Sequence, residues 1–242
     1  MAATGIYAGT AVVVPGARVL PANPPRDGIV VNLPERGLYL FSGGRFVRFF
    51  PVSIGLAKEC PTPVMVGRVV EKLKNPVWYP SHGSSQHKAV PPGPDNPLGD
   101  RWIGLDRAGY GIHSTNRVVN IGLSTTRGCI RLYPDDIHAL FDQVRVGTTV
   151  RIEYETAKVG CKADGTLYLV TFPDVYDRAS PVGAARRALS ALGLEGHWNA
   201  DLENEAKRTR GLPISLELGP PVGRPAGDGT KKGEAESVSP SP

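Results

Sequence analysis

Glycine and proline stop this chain so often that no segment runs far in one regular conformation. Gly 29 and Pro 23 together exceed a fifth of the 242 residues. That density argues for many turns and against a helical bundle. The interruption is heaviest over residues 75–99, where Asn75-Pro76, Tyr79-Pro80, Pro91-Pro92-Gly93-Pro94 and Asn96-Pro97 follow one another. Proline lacks an N–H and biases its predecessor away from the helix, so this stretch reads as a long loop. Long loops inside compact domains are uncommon and often functional.

Between the stops, the runs are short and extended. Residues 28–33 and 37–41 read as strands joined by a proline-containing turn, and Ser42-Gly43-Gly44 allows a tight reversal into Arg45–Val52. Further strands are expected at Val64–Leu73, at 148–154, where Val150, Ile152 and Tyr154 share one face, and at Thr166–Phe172 after the Asp164-Gly165 turn. One helix stands out. Pro134 suits its first turn, Asp135 and Asp136 favour the positive helix start, and Ile137, Leu140, Phe141 and Val144 form an apolar stripe. A helix is also expected from Ser180-Pro181 to Leu192, ended by Gly193, and a polar one from Asn199 to Arg208. From Gly219 the chain is rich in Gly, Pro, Ser and Lys and reads as a disordered tail.

Hydrophobic residues at 40% suffice for a packed core, and no stretch approaches the ~20 apolar residues of a membrane span. A net charge of +5 suits an anionic partner, yet no basic run interleaved with aromatics marks a nucleic-acid surface. Residues from Met1 to Pro15 lack the basic start and apolar centre of a signal peptide, so the sequence itself does not show export. Of three cysteines, Cys60 and Cys161 are either bridged, in an oxidising compartment, or isolated thiols; spacing does not decide.

The third, Cys129, carries the chemistry. It follows Gly128, precedes Ile130 and Arg131, and has His113 upstream. A thiol is a useful nucleophile only as thiolate, and a nearby imidazole or guanidinium shifts that equilibrium. On an extended strand Cys129 and Arg131 share a face. Gly128 permits a close turn whose N–H, with that of Cys129, can form an oxyanion hole. Arg131 either anchors a substrate carboxylate or pairs with Asp135 or Asp136. His82 and His87, in the proline-rich loop, lack a carboxylate or cysteine at ligand spacing, so a metal site is not expected; they line a cleft or lie exposed. His138 and His197 read as structural or surface residues, and Trp78 and Tyr79 as core first, with stacking on a sugar or peptide as the alternative.

These residues resemble a known family. His113-Ser-Thr-Asn116, Ile121-Gly122 and Arg127-Gly-Cys-Ile-Arg-Leu132 are similar to the signature of L,D-transpeptidases with a YkuD-type catalytic domain, H-G-T-N, I-G and S-H-G-C-I-R-M. Gly28-Ile-Val-Val-Asn-Leu-Pro-Glu, Pro51-Val-Ser-Ile-Gly, Asn75-Pro-Val-Trp and the run Val90 to Gly99 extend the likeness over about residues 17–217, with C-terminal helices like those of Gram-negative members. The resemblance implies a mainly β, sandwich-like domain with a few short helices. It would occupy 25–156, after an N-terminal segment (1–24) that resembles the remnant of a wall-binding repeat. A strand and helical extension (157–217) and the tail (218–242) would follow.

The implied activity is transfer of peptidoglycan stem peptides. Cys129 would attack the bond between a diamino acid and a terminal D-alanine, with His113 as base, Gly128 and Ser114 as positioning groups, and Arg131, Thr115, Asn116 and Arg127 on the substrate. The acceptor would be an amine of a second stem or of an envelope lipoprotein. Water would make the chain a carboxypeptidase, and an inert site would leave a peptidoglycan-binding module. No cofactor is implied, and the resemblance places the chain in the periplasm or cell envelope. Ser114 replaces a common glycine, and Arg127 stands where many members carry histidine; its guanidinium either favours the adjacent thiolate or faces solvent.

Overall fold

The computed structural model describes residues 11–14, 18–80, 88–162, 166–208 and 214–219. His82, His87, the Asp164-Gly165 turn and residues 220–242 lie outside them. In chain order the strands and helices are β1 (Ala11–Val14), β2 (Arg18–Val19), β3 (Gly28–Asn32), β4 (Gly37–Ser42), β5 (Arg45–Pro51), β6 (Ile54–Gly55), β7 (Met65–Lys74), β8 (Arg101–Leu105), β9 (Gly111–His113), β10 (Ser124–Thr126), β11 (Ile130–Arg131), α1 (Pro134–Gln143), β12 (Thr149–Glu153), β13 (Ala157–Cys161), β14 (Leu167–Thr171), α2 (Pro181–Ser190), α3 (Ala200–Lys207) and β15 (Ile214–Gly219).

Eight strands form one ladder in the order β11-β9-β8-β7-β12-β3-β4-β5. Its corner is β7. Met65 to Arg68 pair with β12, Val69 to Lys74 pair with β8, and the register slips between Val69 and Glu71. A strand that leaves one sheet for another at an irregularity is how two layers come to face each other. The layers close over a core that runs from Ile29, Leu38 and Phe50 to Ile103, Ile112, Ile130 and the α1 stripe Ile137, Leu140 and Phe141. The architecture is thus mainly β and sandwich-like, with few helices.

A second sheet, β15-β14-β13-β1-β2, unites both ends of the described chain. The sequence pattern did not mark β1, β13 or β15 as strands, and β15 reaches Gly219, where a tail was expected to begin. On this sheet α2 packs through Ala185 and Leu189. Its Ser180 accepts a hydrogen bond from Gly183 N–H, while Asn199 caps α3 through Leu202 N–H at 2.8 Å. The two parts interlock: Tyr176, from the segment after β14, belongs to the sandwich core. No disulfide joins Cys60 and Cys161, so the open question of a bridge resolves against it. Among the described residues no helix is long and apolar enough to cross a membrane.

Candidate active site

Two isoleucines set the orientation of the site. β9 and β11 run parallel, with Ile112 opposite Ile130 and His113 opposite Arg131. Ile112 and Ile130 are buried in the core, each contributing about 1.5–3 kcal/mol by that burial. Side chains alternate along a strand. The flanking His113, Cys129 and Arg131 are therefore turned together to the opposite face, as the sequence suggested for Cys129 and Arg131. Trp102 of β8 lies across from His113, their rings 5.7 Å apart, and Gly111 leaves the space that the indole fills.

His113 is buried by this indole and by the long loop, whose described residues are themselves held by hydrogen bonds. The Asn96 amide donates to Pro76 O at 2.8 Å and accepts from Leu98 N–H at 2.9 Å, while Trp78 and Val90 exchange two backbone bonds of 2.9 Å. At φ +65°, Gly99 lies against Ser114 with no room for a Cβ. The Nδ1 of His113 sits 2.6 Å from the Ser114 carbonyl. A carbonyl only accepts, so Nδ1 carries the proton and Nε2 is the ring's basic nitrogen. Burial, with the charge of Arg131 behind it, lowers the His113 pKa to about 3. The imidazole is accordingly neutral near pH 7.

The half-buried Cys129 thiol donates to Gly109 O at 3.5 Å. Burial raises its pKa, outweighing the Gly111 N–H and the Arg131 charge, both of which favour the thiolate. Both shifts favour the neutral forms, the thiol of Cys129 and the imidazole of His113. Arg131 feels Cys129 and Arg117, and its buried Nε has no hydrogen-bond partner among the described residues. The pairing with Asp136 is not formed. That carboxylate takes Arg48 at 2.6 Å instead.

Gly128 adopts φ +104°, with Tyr110 against its face, so the close turn is present. Its N–H, however, donates to Thr126 Oγ1 at 3.0 Å, which corrects the expectation that it lines an oxyanion hole. Ser114 meets His113 through its carbonyl rather than its hydroxyl. Thr115 is buried and its hydroxyl accepts from Arg117 N–H at 3.0 Å, while Asn116 reaches back to Asp95 O at 3.4 Å. Both organise the loop after β9. Arg127 is exposed, and so is Tyr79, contrary to the core role expected of it. His138 makes a surface contact with Asp100 at 2.7 Å. Among the described residues no three His, Cys, Asp or Glu side chains cluster to hold a metal ion.

Sequence reasoning missed Thr62, Thr126, Tyr176 and Trp102. Thr62 and Tyr176 act through hydrogen bonds between distant segments, which nothing local in the sequence marks, whereas Thr126 acts on the turn two and three residues ahead of it.

Comparison with known proteins gives the family. The YkuD family, described as the L,D-transpeptidase catalytic domain, matches residues 26–152. The probable L,D-transpeptidase ErfK/SrfK of Salmonella typhimurium is 40% identical over 231 residues, 88% of this chain and 74% of that protein. YcfS of Escherichia coli, also a probable L,D-transpeptidase, is 39% identical over 171 residues, 65% of this chain and 53% of its own. YbiS of the same species, named likewise, is 36% identical over 228 residues, 86% and 73% respectively. Among solved structures, an L,D-transpeptidase from Mycobacterium smegmatis superposes with a TM-score of 0.43 at 22% identity, covering 52% of this chain and 57% of that one. From the domain match and the relatives, this chain belongs to the L,D-transpeptidase family with a YkuD catalytic domain.

Proposed function

We propose that the chain is a peptidoglycan L,D-transpeptidase that carries its acyl group on Cys129. The observation that carries the reading is the parallel register of β9 and β11, which turns Cys129, His113 and Arg131 to one face with the imidazole tautomer already set. Arg131, half-buried and without a carboxylate partner among the described residues, suits a free carboxylate of a donor stem. His113 Nε2 takes the thiol proton as Sγ attacks the carbonyl between the diamino acid and D-alanine. The C–S bond forms, the C–N bond breaks, and the same proton leaves on the D-alanine amine. An amine of a second stem, or of an envelope lipoprotein, then attacks the thioester, forms the new amide and returns the thiol. The Cys129 N–H would bind the oxyanion in both steps. Arg127, exposed next to Gly128 in the chain, acts on the substrate and not as a base. The substrate places this activity in the periplasm or cell envelope.

Incubation with a tetrapeptide-bearing muropeptide, followed by mass spectrometry of protein and products, tests the reading. Joined stems and released D-alanine are expected from the wild type and not from Cys129→Ala. Tripeptides without joining would assign the site to hydrolysis. Binding to sacculi with no D-alanine released would make the domain a binding module.

A further inference from the structure

The peptide groups around Cys129 are almost fully committed, and the commitment leaves one donor over. Gly128 N–H donates to Thr126 Oγ1 at 3.0 Å, and the same hydroxyl donates to Cys129 O at 2.5 Å. Gly128 O accepts from Thr62 Oγ1 at 2.9 Å. Of the N–H and C=O groups of these two residues, only Cys129 N–H donates to nothing among the described residues. Carbonyl and N–H of one trans peptide point in opposite directions. Holding Gly128 O down onto Thr62 therefore turns Cys129 N–H the opposite way, away from Thr62.

Thr62 is in turn locked. Its hydroxyl accepts from Gly55 N–H at 2.9 Å, which leaves its own proton for Gly128 O. Tyr176 closes the ring: its hydroxyl donates to Gly55 O at 2.9 Å and accepts from Thr62 N–H at 3.1 Å. Gly55 admits no side chain here, since a Cβ would lie 2.0 Å from Cys60 O. Thr62 is 1% exposed, so no water can substitute for it without repacking. Tyr176 lies beyond the residues 26–152 that match the catalytic domain, in the segment that leads from β14 to α2. That segment is braced as well, with Tyr154 donating to Asp174 at 2.5 Å and accepting from Tyr176 N–H at 2.7 Å.

We propose that Thr62 is a positioning residue for acyl transfer: by clamping Gly128 O it aims Cys129 N–H at the oxyanion, and Tyr176 of the C-terminal extension holds Thr62 in place. The proposal rests on Cys129 as acyl carrier. It makes the extension part of the catalytic apparatus, although none of its described residues is placed among the reacting groups.

Two reactions of the same sulfur separate aim from mere integrity. Acylation by a carbapenem passes through an oxyanion, whereas alkylation by iodoacetamide does not. Both are followed by intact mass on the full chain, for wild type, Thr62→Val, Thr62→Ser and Tyr176→Phe. Thr62→Val is expected to slow acylation by about 10- to 100-fold, less than the ~10²- to 10³-fold of an oxyanion donor removed outright, because the N–H is misaimed rather than lost. Its alkylation should stay close to wild type. Thr62→Ser restores acylation, and Tyr176→Phe shows the same split in milder form. Should Thr62→Val fail to fold, the serine and phenylalanine variants still decide, because the split in Tyr176→Phe is required. Equal slowing of both reactions, or unchanged acylation in Thr62→Val or Tyr176→Phe, overturns the proposal. A wild type that is alkylated but not acylated overturns the cysteine mechanism itself, and the positioning role with it.

Discussion

Replacing Lys158 by methionine removes one charge from a buried cluster that fastens the second sheet to the catalytic sandwich. Lys158 Nζ on β13 lies 2.7 Å from Glu35 Oε2 in the β3–β4 turn, with side chains only 6% and 3% exposed. The other oxygen, Oε1, accepts from Tyr39 OH at 2.6 Å and from Arg18 at 2.9 Å. At this separation the two charges attract by roughly 6 kcal/mol at an effective dielectric of 20, most of which desolvation offsets. Removing one partner of a buried pair costs about 3–5 kcal/mol, because the other charge stays buried. Arg18 and Tyr39 remain on Glu35, which puts the loss near the lower figure, about 3 kcal/mol. For a chain of this size that corresponds to a fall in Tm of roughly 6–12 °C. The assay is thermal and urea unfolding of wild type, Lys158→Met, Glu35→Gln and the double variant. The double variant leaves no buried charge unpaired, since Arg18, which loses its carboxylate, is 36% exposed and can be hydrated, so it should recover most of the loss. A single variant as stable as wild type, or a double variant that merely sums two losses, would refute the account of the cluster.

Other expectations concern the site. Because the resting cysteine is a thiol with a raised pKa, its alkylation rate should climb with pH through and beyond the ordinary thiol range; a plateau between pH 5 and 7 would instead reveal a thiolate–imidazolium pair. His113 titrates at about 3 in the folded chain against an ordinary 6.5, so the unfolded state binds more protons between these values. The stability that neutral, buried His113 contributes is whole above pH 6.5 and is lost as pH falls towards 3, and urea midpoints should show a weaker acid decline in His113→Asn. Arg131→Gln should raise the His113 pKa, measurable by NMR titration, and cut donor acylation about 10- to 100-fold, as expected for a lost charge-assisted pair. Gly128→Ala places a Cβ 2.7 Å from the Tyr110 ring at φ +104°, and acylation should fall while the rest of the fold, followed by circular dichroism, persists.

What could be read from the sequence followed from local rules. The α1 stripe, the Gly43-Gly44 reversal and the alternation in β12 each announce themselves within a few residues, and each forms where expected. The motif around Cys129 placed thiol and guanidinium on one face for the same reason. Strands β1 and β15 escaped because their pairing depends on partners far along the chain: Ala11 pairs with Gly160 and Ile214 with Thr171. The Gly128 N–H was assigned wrongly for a related reason. A hydroxyl two residues back, Thr126, competes for it, and only the folded turn shows that it wins. Thr62 and Tyr176 are 114 positions apart, so nothing in either neighbourhood could connect them to Cys129.

The central claim is that Cys129 carries the acyl group, and intact mass spectrometry in a single turnover with a tetrapeptide donor tests it most directly. The account predicts a tripeptidyl thioester on Cys129, one D-alanine released per adduct, and discharge when an amine acceptor is added. D-alanine release that survives in Cys129→Ala, or an acyl adduct on a different residue of the folded wild type, would contradict it.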